Sequence, residues 1–127
     1  MTHSDINITK IQDFLWQLFT SDKLKNKYLD ELPSTNDFDS AMVIDCSNSI
    51  RDMDAYGVGS ILLFLYAKPV VSGLGNSKVL GEMEAEVLRL IDSNTNETYT
   101  LSRRYTHSDY DAARNLHMIV LEINITI

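Results

Sequence analysis

Apolar residues recur along the chain with two periods, and the change of period marks the elements. Ile8, Ile11, Leu15, Leu18 and Phe19 stand three and four apart, so they share one face of a helix. Ser4 or Asp5 can cap its start by accepting a bond from an orphan backbone N–H. Ser21-Asp22 reads as a break or a second cap. Leu24, Tyr28 and Leu32 then stand four apart, which predicts a short further helix over Lys23 to Glu31, ended by Pro33. Pro33 to Ser40 is polar and turn-rich, hence a loop.

Period two follows. Over Ala41 to Ser47, Met42, Ile44 and Cys46 fall on one face and Asp45 and Ser47 on the other, the pattern of a half-buried strand. Arg51 to Tyr56 is a polar turn region. Gly57 to Val70 contains Ile61 to Tyr66, apolar on both faces, which predicts a central strand closed by Pro69. A loop through Gly73 and Gly75 leads to a helix capped by Asn76 or Ser77, with Val79, Leu80, Met83, Val87, Leu90 and Ile91 as its apolar stripe. A hairpin closes the chain. Tyr99, Leu101 and Tyr105 alternate with polar residues, Thr106 to Asn115 connects, and Leu116 to Ile127 carries five apolar residues from Ile119 to Ile127 on one face.

The order is α-β-β-α-β-β in one α+β domain over residues 1–127, with no internal repeat or linker. Moving the last strand to the front gives β-α-β-β-α-β, the order of ferredoxin-like folds. The expected architecture is a two-layer sandwich, helices on one face of a mainly antiparallel four-stranded sheet. The apolar residues of the strands do not all fit on one side, so the pattern leaves apolar surface for a partner.

Composition narrows the function. With 127 residues, 44% of them apolar, one core is the limit and disorder is excluded. Eleven Lys and Arg stand against 18 Asp and Glu, a net charge of −7. Sequence-specific DNA binding needs a basic face that this chain lacks. A single cysteine, Cys46, forms no internal disulfide, and no Cys/His spacing suggests zinc. The first residues lack the apolar core of a signal peptide, and the longest apolar run is far below the ~18 residues of a membrane span. A cytoplasmic origin is expected, with no membrane partner, and the three Asn-X-Thr sequons at Asn7, Asn96 and Asn124 are read as chance.

Candidate chemistry is sparse. His107, Ser108 and Asp109 are the residue types of a hydrolase triad, but triads are assembled from separated segments, and adjacent residues rarely converge. His117 has no acid or histidine at metal-ligand spacing and reads as a core or interface residue. Asp52 to Gly57 is similar to the start of a calcium loop, yet the bidentate glutamate position falls on Leu63. Gly57-Val58-Gly59 and Gly73-Leu74-Gly75 do not extend to a phosphate loop and read as turns and bulges. Cys46 shares a strand face with Met42 and Ile44, which predicts burial rather than nucleophilicity. Lys23, Lys25 and Lys27 form a solvated face, and Trp16 with Phe14 and Phe19 reads as core or interface. No cofactor or metal is expected, and the tally favours no enzyme.

The N-terminal helix followed by Pro33, the strand Ala41–Ser47 and the long apolar strand Gly59–Tyr66 form a connected pattern. The glycine-containing loop into helix Val79–Ile91, and the closing strand LHMIVLEINI entered through a histidine, complete it. Together they resemble the tail terminator (tail completion) proteins of long-tailed bacteriophages and prophages, over roughly Ile8 to the C-terminus. The resemblance carries over no individual functional residue. It implies a structural protein of virion assembly: a homo-oligomer, a hexamer ring, that caps the tail tube, stops its polymerisation and presents a surface to the head-tail connector. Such a protein is cytoplasmic during assembly and then part of the virion tail. A ring is built from heterologous contacts, and exposed sheet edges are natural contacts. In the hairpin the candidate interface residues are Tyr99, Arg103, Arg104, Tyr105, His107 and Tyr110. The negative charge suits a DNA conduit if part of it faces the lumen. Two rivals are a small ferredoxin-like binding module of a bacterial host, using its open sheet face, and a small enzyme in which His107, His117 and Asp109 or Asp111 converge.

Overall fold

The computed structural model describes residues 7–35, 37–46, 51–52 (as backbone), 57–71 and 75–127. The Ser4 and Asp5 caps, the end of the first predicted strand at Ser47, the centre of the calcium-like turn from Met53 to Tyr56, and Gly73 with Leu74 lie outside them. The described chain is α+β. Its elements are α1 (Ile8–Leu18), β1 (Lys27–Leu29), β2 (Ser40–Asp45), β3 (Arg51–Asp52), β4 (Gly57–Ala67), α2 (Ser77–Asp92), β5 (Thr100–Asp111) and β6 (Leu116–Thr126).

The helices begin where a side-chain oxygen can satisfy a free backbone N–H. Asn7 accepts from Lys10 N at 3.2 Å at the start of α1. Asn76 accepts from Val79 N at 3.3 Å at the start of α2. At the far end of α1 the Trp16 carbonyl accepts from Lys27 Nζ at 2.7 Å and from Thr20 Oγ1 at 3.2 Å. That puts a cation at the negative end of the helix dipole. The ammonium also sits 4.4 Å from the centre of the Trp16 ring, and partial burial lowers its pKa from the ordinary value.

The sheet has the order β1-β2-β4-β6-β5, with β3 pairing alongside β4. Its long strands pair antiparallel, and β1 joins β2 in parallel. The sheet is therefore six-stranded and mixed, where a four-stranded, mainly antiparallel one was expected. One added strand, β1, comes from the segment predicted as a helix over Lys23 to Glu31; the other, β3, comes from Arg51 and Asp52, read as part of a polar turn but paired with Val58 and Gly57 of β4. Leu24, Tyr28 and Leu32 do not share a face: Leu24 packs into the core under the helices, while Tyr28 and Leu32 pack on the opposite side of the sheet. A short segment gains little from helix nucleation, and the bare edge of β2 offers it ladder bonds instead. Asp30 then turns the chain away with φ 69°.

The main core lies between the sheet and both helices. Ile11, Leu15 and Phe19 meet Met42 and Ile44 of β2, Ile61, Leu63 and Leu65 of β4, and Leu121, Ile123 and Ile125 of β6, together with Leu80, Met83, Val87 and Ile91 of α2. Each such Leu or Ile stabilises the fold by about 1.5–3 kcal/mol through burial. A second, smaller cluster covers part of the other face: Leu32 and Phe38 fold back over Ala41, Val43 and Leu116. Thus β2 is buried on both faces for most of its length, rather than on one. The central placement of β4, between β2 and β6, follows its two-sided apolar sequence.

The closing hairpin is longer than its polarity suggested. Thr106 to Asp111 continue β5 against β6, and the connection shrinks to residues 112–115, with Asn115 at φ 53°. Polar residues in an edge strand report exposure, not the absence of a ladder.

Candidate functional site

The outer strand β5 and the groove beside it form the most unusual surface of the described chain. One edge of β5 pairs with β6; the other has no partner strand among the described residues. From Ser102 to Tyr110 every residue is exposed.

A bulge between Arg103 and Tyr105 decides which side chains face which way. Leu101 and Arg103 lie opposite Ile125 and Ile123, on the helix side. After the bulge Thr106, Ser108 and Tyr110 lie opposite Leu121, Ile119 and His117, again on the helix side. Tyr105, His107 and Asp109 lie opposite Glu122, Val120 and Met118, on the other face. Arg104, the extra residue, reaches Glu122 at 3.6 Å. Tyr105 and His107 sit on that face with ring centres 5.2 Å apart.

On the helix side, a groove of about 700 Å³ opens between the start of α2 and the end of the hairpin. Its walls include Asn76, Leu80, Gly81, Ser108, Tyr110 and His117. His117 lies between the Tyr110 ring, with centres 4.7 Å apart, and the backbone of Gly75. Tyr110 is held in turn by its hydroxyl, which donates to Asn115 Oδ1 at 2.6 Å. Gly75 and Gly81 both line the groove. A Cβ on Gly75 would stand 3.1 Å from His117 Nδ1, whereas one on Gly81 would meet nothing within 4 Å.

The candidate interface residues divide accordingly. Arg103, Arg104, Tyr105, His107 and Tyr110 are exposed along β5. Tyr99 precedes the strand and is buried in the core, stacked on Phe14 at 4.8 Å between centres. Its backbone is fixed there, since Asn94 Nδ2 donates to its carbonyl and its N–H donates to Asn96 Oδ1. Its ring therefore faces Phe14 and not a neighbour. The sequence pattern gives no contact role to Ser108, Asp109 or Gly81, all of which line the groove. The only sequence signal for Gly81 was a glycine inside an otherwise regular amphipathic helix.

The catalytic alternatives fare differently from one another. Alternation puts Ser108 on the opposite face of the sheet from His107 and Asp109, so those three do not converge. His107 and His117 also stand on opposite faces, and Asp111 pairs with Arg114 at 3.9 Å. Among the described residues no group of three His, Cys, Asp or Glu is placed to hold a metal ion. Burial pushes the Cys46 thiol up to about 12, with the carboxylates of Asp30 and Asp45 acting in the same direction. Among the described residues no helix is long and apolar enough to cross a membrane.

No protein-family model matches the chain, and no curated protein matches it in sequence.

Proposed function

We propose that the chain is a structural subunit, a tail terminator (tail completion) protein of a long-tailed bacteriophage or prophage. In this reading six copies close into a ring that caps the tail tube, stops its growth and meets the head-tail connector. The observation that carries it is β5: twelve residues of strand, exposed over nearly all their length, with one edge open. Such an edge is a template for another chain. The two sheet edges are unlike, three residues in β1 against twelve in β5, which suits heterologous rather than self-matched ring contacts. The four long strands with the two helices follow the two-layer α-β-β-α-β-β plan to which the resemblance points, with β1 and β3 added to it. The role is architectural, without catalysis or cofactor, carried out in the cytoplasm and then in the virion tail. The test is co-expression with tail-tube subunits of long-tailed bacteriophages. Tubes of limited length ending in a ring of this chain are expected; tubes that grow on without binding it would overturn the reading.

The groove beside α2 favours a second reading, a ferredoxin-like binding module of a bacterial host. Its volume and its lining of Leu80, Tyr110 and His117 fit a small ligand or an extended peptide. Chemical-shift changes confined to those residues on titration with a metabolite or peptide library, without any tube binding, would favour it over the ring.

A further inference from the structure

The charges along β5 are ordered. Arg103 and Arg104 stand near its start and Asp109 and Asp111 near its end, with Tyr105, Thr106, His107 and Ser108 between. A second copy of the strand laid antiparallel along the open edge brings basic residues against acidic ones. Laid parallel, it brings like charges together, which is unfavourable across strands.

We infer that free chains pair through β5 as a two-fold dimer, antiparallel, with His107 opposite His107 of the second copy. A two-fold axis through the sheet keeps each face on its own side, so residues that share a face must meet. With His107 at the axis, Thr106 meets Ser108 of the second copy on the helix side. On the other face, Tyr105 and the bulged Arg104 meet Asp109 of the second copy. Beyond the bulge, Arg103 meets Tyr110 of the second copy on the helix side, where a guanidinium over a phenol ring is attractive. Moving the axis to Thr106 puts Arg104 beside His107 and leaves Asp109 against Ser102, which wastes both charges. Moving it to Ser108 shortens the shared ladder and takes Asp109 away from Arg104, setting it against His107. The His107 register is thus the one in which length and charge agree.

The pairing adds to the groove as well. Because Tyr110 lines it, each groove receives Arg103 from the second copy and becomes a site built by two chains. An isologous contact closes at two subunits and cannot propagate. Under the ring reading, the dimer is a storage form that hides the edge until the tube displaces it. The pairing itself does not depend on that reading.

The test uses the full chain. Equilibrium sedimentation gives the dimer dissociation constant for the unmodified protein, R104D, D109R and the double variant. Each single change is expected to weaken the dimer about ten-fold or more, and the double variant to restore it to within about three-fold. Both residues lie on the exposed strand, and circular dichroism checks the folding of each variant. In parallel, H107C is oxidised. Facing Cα atoms in an antiparallel pair stand about 4.5–5.5 Å apart, within the disulfide range, so a covalent dimer is expected from H107C and none from T106C. A chain that stays monomeric at every concentration overturns the inference, as does a dimer that H107C fails to cross-link. A six-membered ring formed directly in solution also overturns it, while leaving the ring reading standing. A two-fold dimer that never caps tubes upholds it and removes the ring reading.

Discussion

Gly75 and His117 are in contact through the absence of a side chain: a Cβ on Gly75 would come within 3.1 Å of His117 Nδ1. The imidazole occupies the space that any other residue at position 75 would need. This contact brings Gly75, just before α2, against the hairpin at the side of the groove.

The two groove glycines should therefore respond oppositely to the same change. Gly75→Ala forces the ring aside and is expected to destabilise by about 1 kcal/mol or more. Pairing it with His117→Ala should recover part of that loss in a double-mutant cycle. Gly81→Ala meets nothing and removes the helix penalty of glycine, so it should stabilise by about 1 kcal/mol. Urea unfolding midpoints check all four variants.

Glu86 joins α2 to the chain after α1. Its carboxylate accepts from Ser21 Oγ at 2.9 Å and pairs with Arg89. Those hydrogen bonds, Ser21 first and Arg89 next, hold its pKa below the usual value against a small opposing effect of burial. The stability it adds is complete above the unfolded carboxylate pKa of about 4.3 and is lost as pH falls through the depressed folded value. Glu86→Gln should flatten the loss of stability in that acid range, measured as the urea midpoint against pH. A profile identical to that of the unmodified chain would remove Glu86 from the account.

Cys46 is 3% exposed and its thiol is pushed up to about 12 from 9.0. The folded chain should react with an aromatic disulfide reagent only at the rate at which it opens. The raised value also contributes stability that is complete below about pH 9 and is lost as pH rises from there to about 12. Cys46→Ala should remove that alkaline component. Fast labelling of the native chain at neutral pH would contradict the burial.

Phe38 covers the face of the sheet away from the helices, with Leu32, over Val43 and Leu116. Phe38→Ala is expected to cost about 3–5 kcal/mol and to uncover Phe64 and Tyr66. Unfolding midpoint and dye binding to the exposed patch report the two effects. A loss below about 1 kcal/mol would mean that the second cluster adds little.

Periodicity revealed the elements that make up the main core. The three-and-four spacing of Ile11, Leu15 and Phe19, the two-sided run from Ile61 to Tyr66 and the alternation from Ile119 to Ile127 each describe a surface pressed against another. What escaped it depends on contacts between distant segments. Leu24, Tyr28 and Leu32 look helical until β2 offers an edge, and then they divide between two sides of a sheet. Tyr99 looks like the first residue of an alternating strand, but Phe14 draws it into the core. The site was half legible: the residues of β5 could be named from their polarity and aromatic content, whereas the groove comes from the distance between α2 and the hairpin, which no local pattern encodes.

The bulge at Arg104 also sets which side chains line the groove. Deleting that single residue would restore plain alternation from Leu101 onward and leave every later residue on its present face. Keeping the residue but straightening the bulge would do the opposite: with Arg104 read into the ladder, His107 and Asp109 would turn towards α2 and the hydroxyls of Thr106, Ser108 and Tyr110 would turn away. A codon lost at the bulge would thus be silent for the groove, whereas a codon gained before Thr106 with the bulge kept would exchange a hydroxyl-lined groove for an ionic one with no side chain altered.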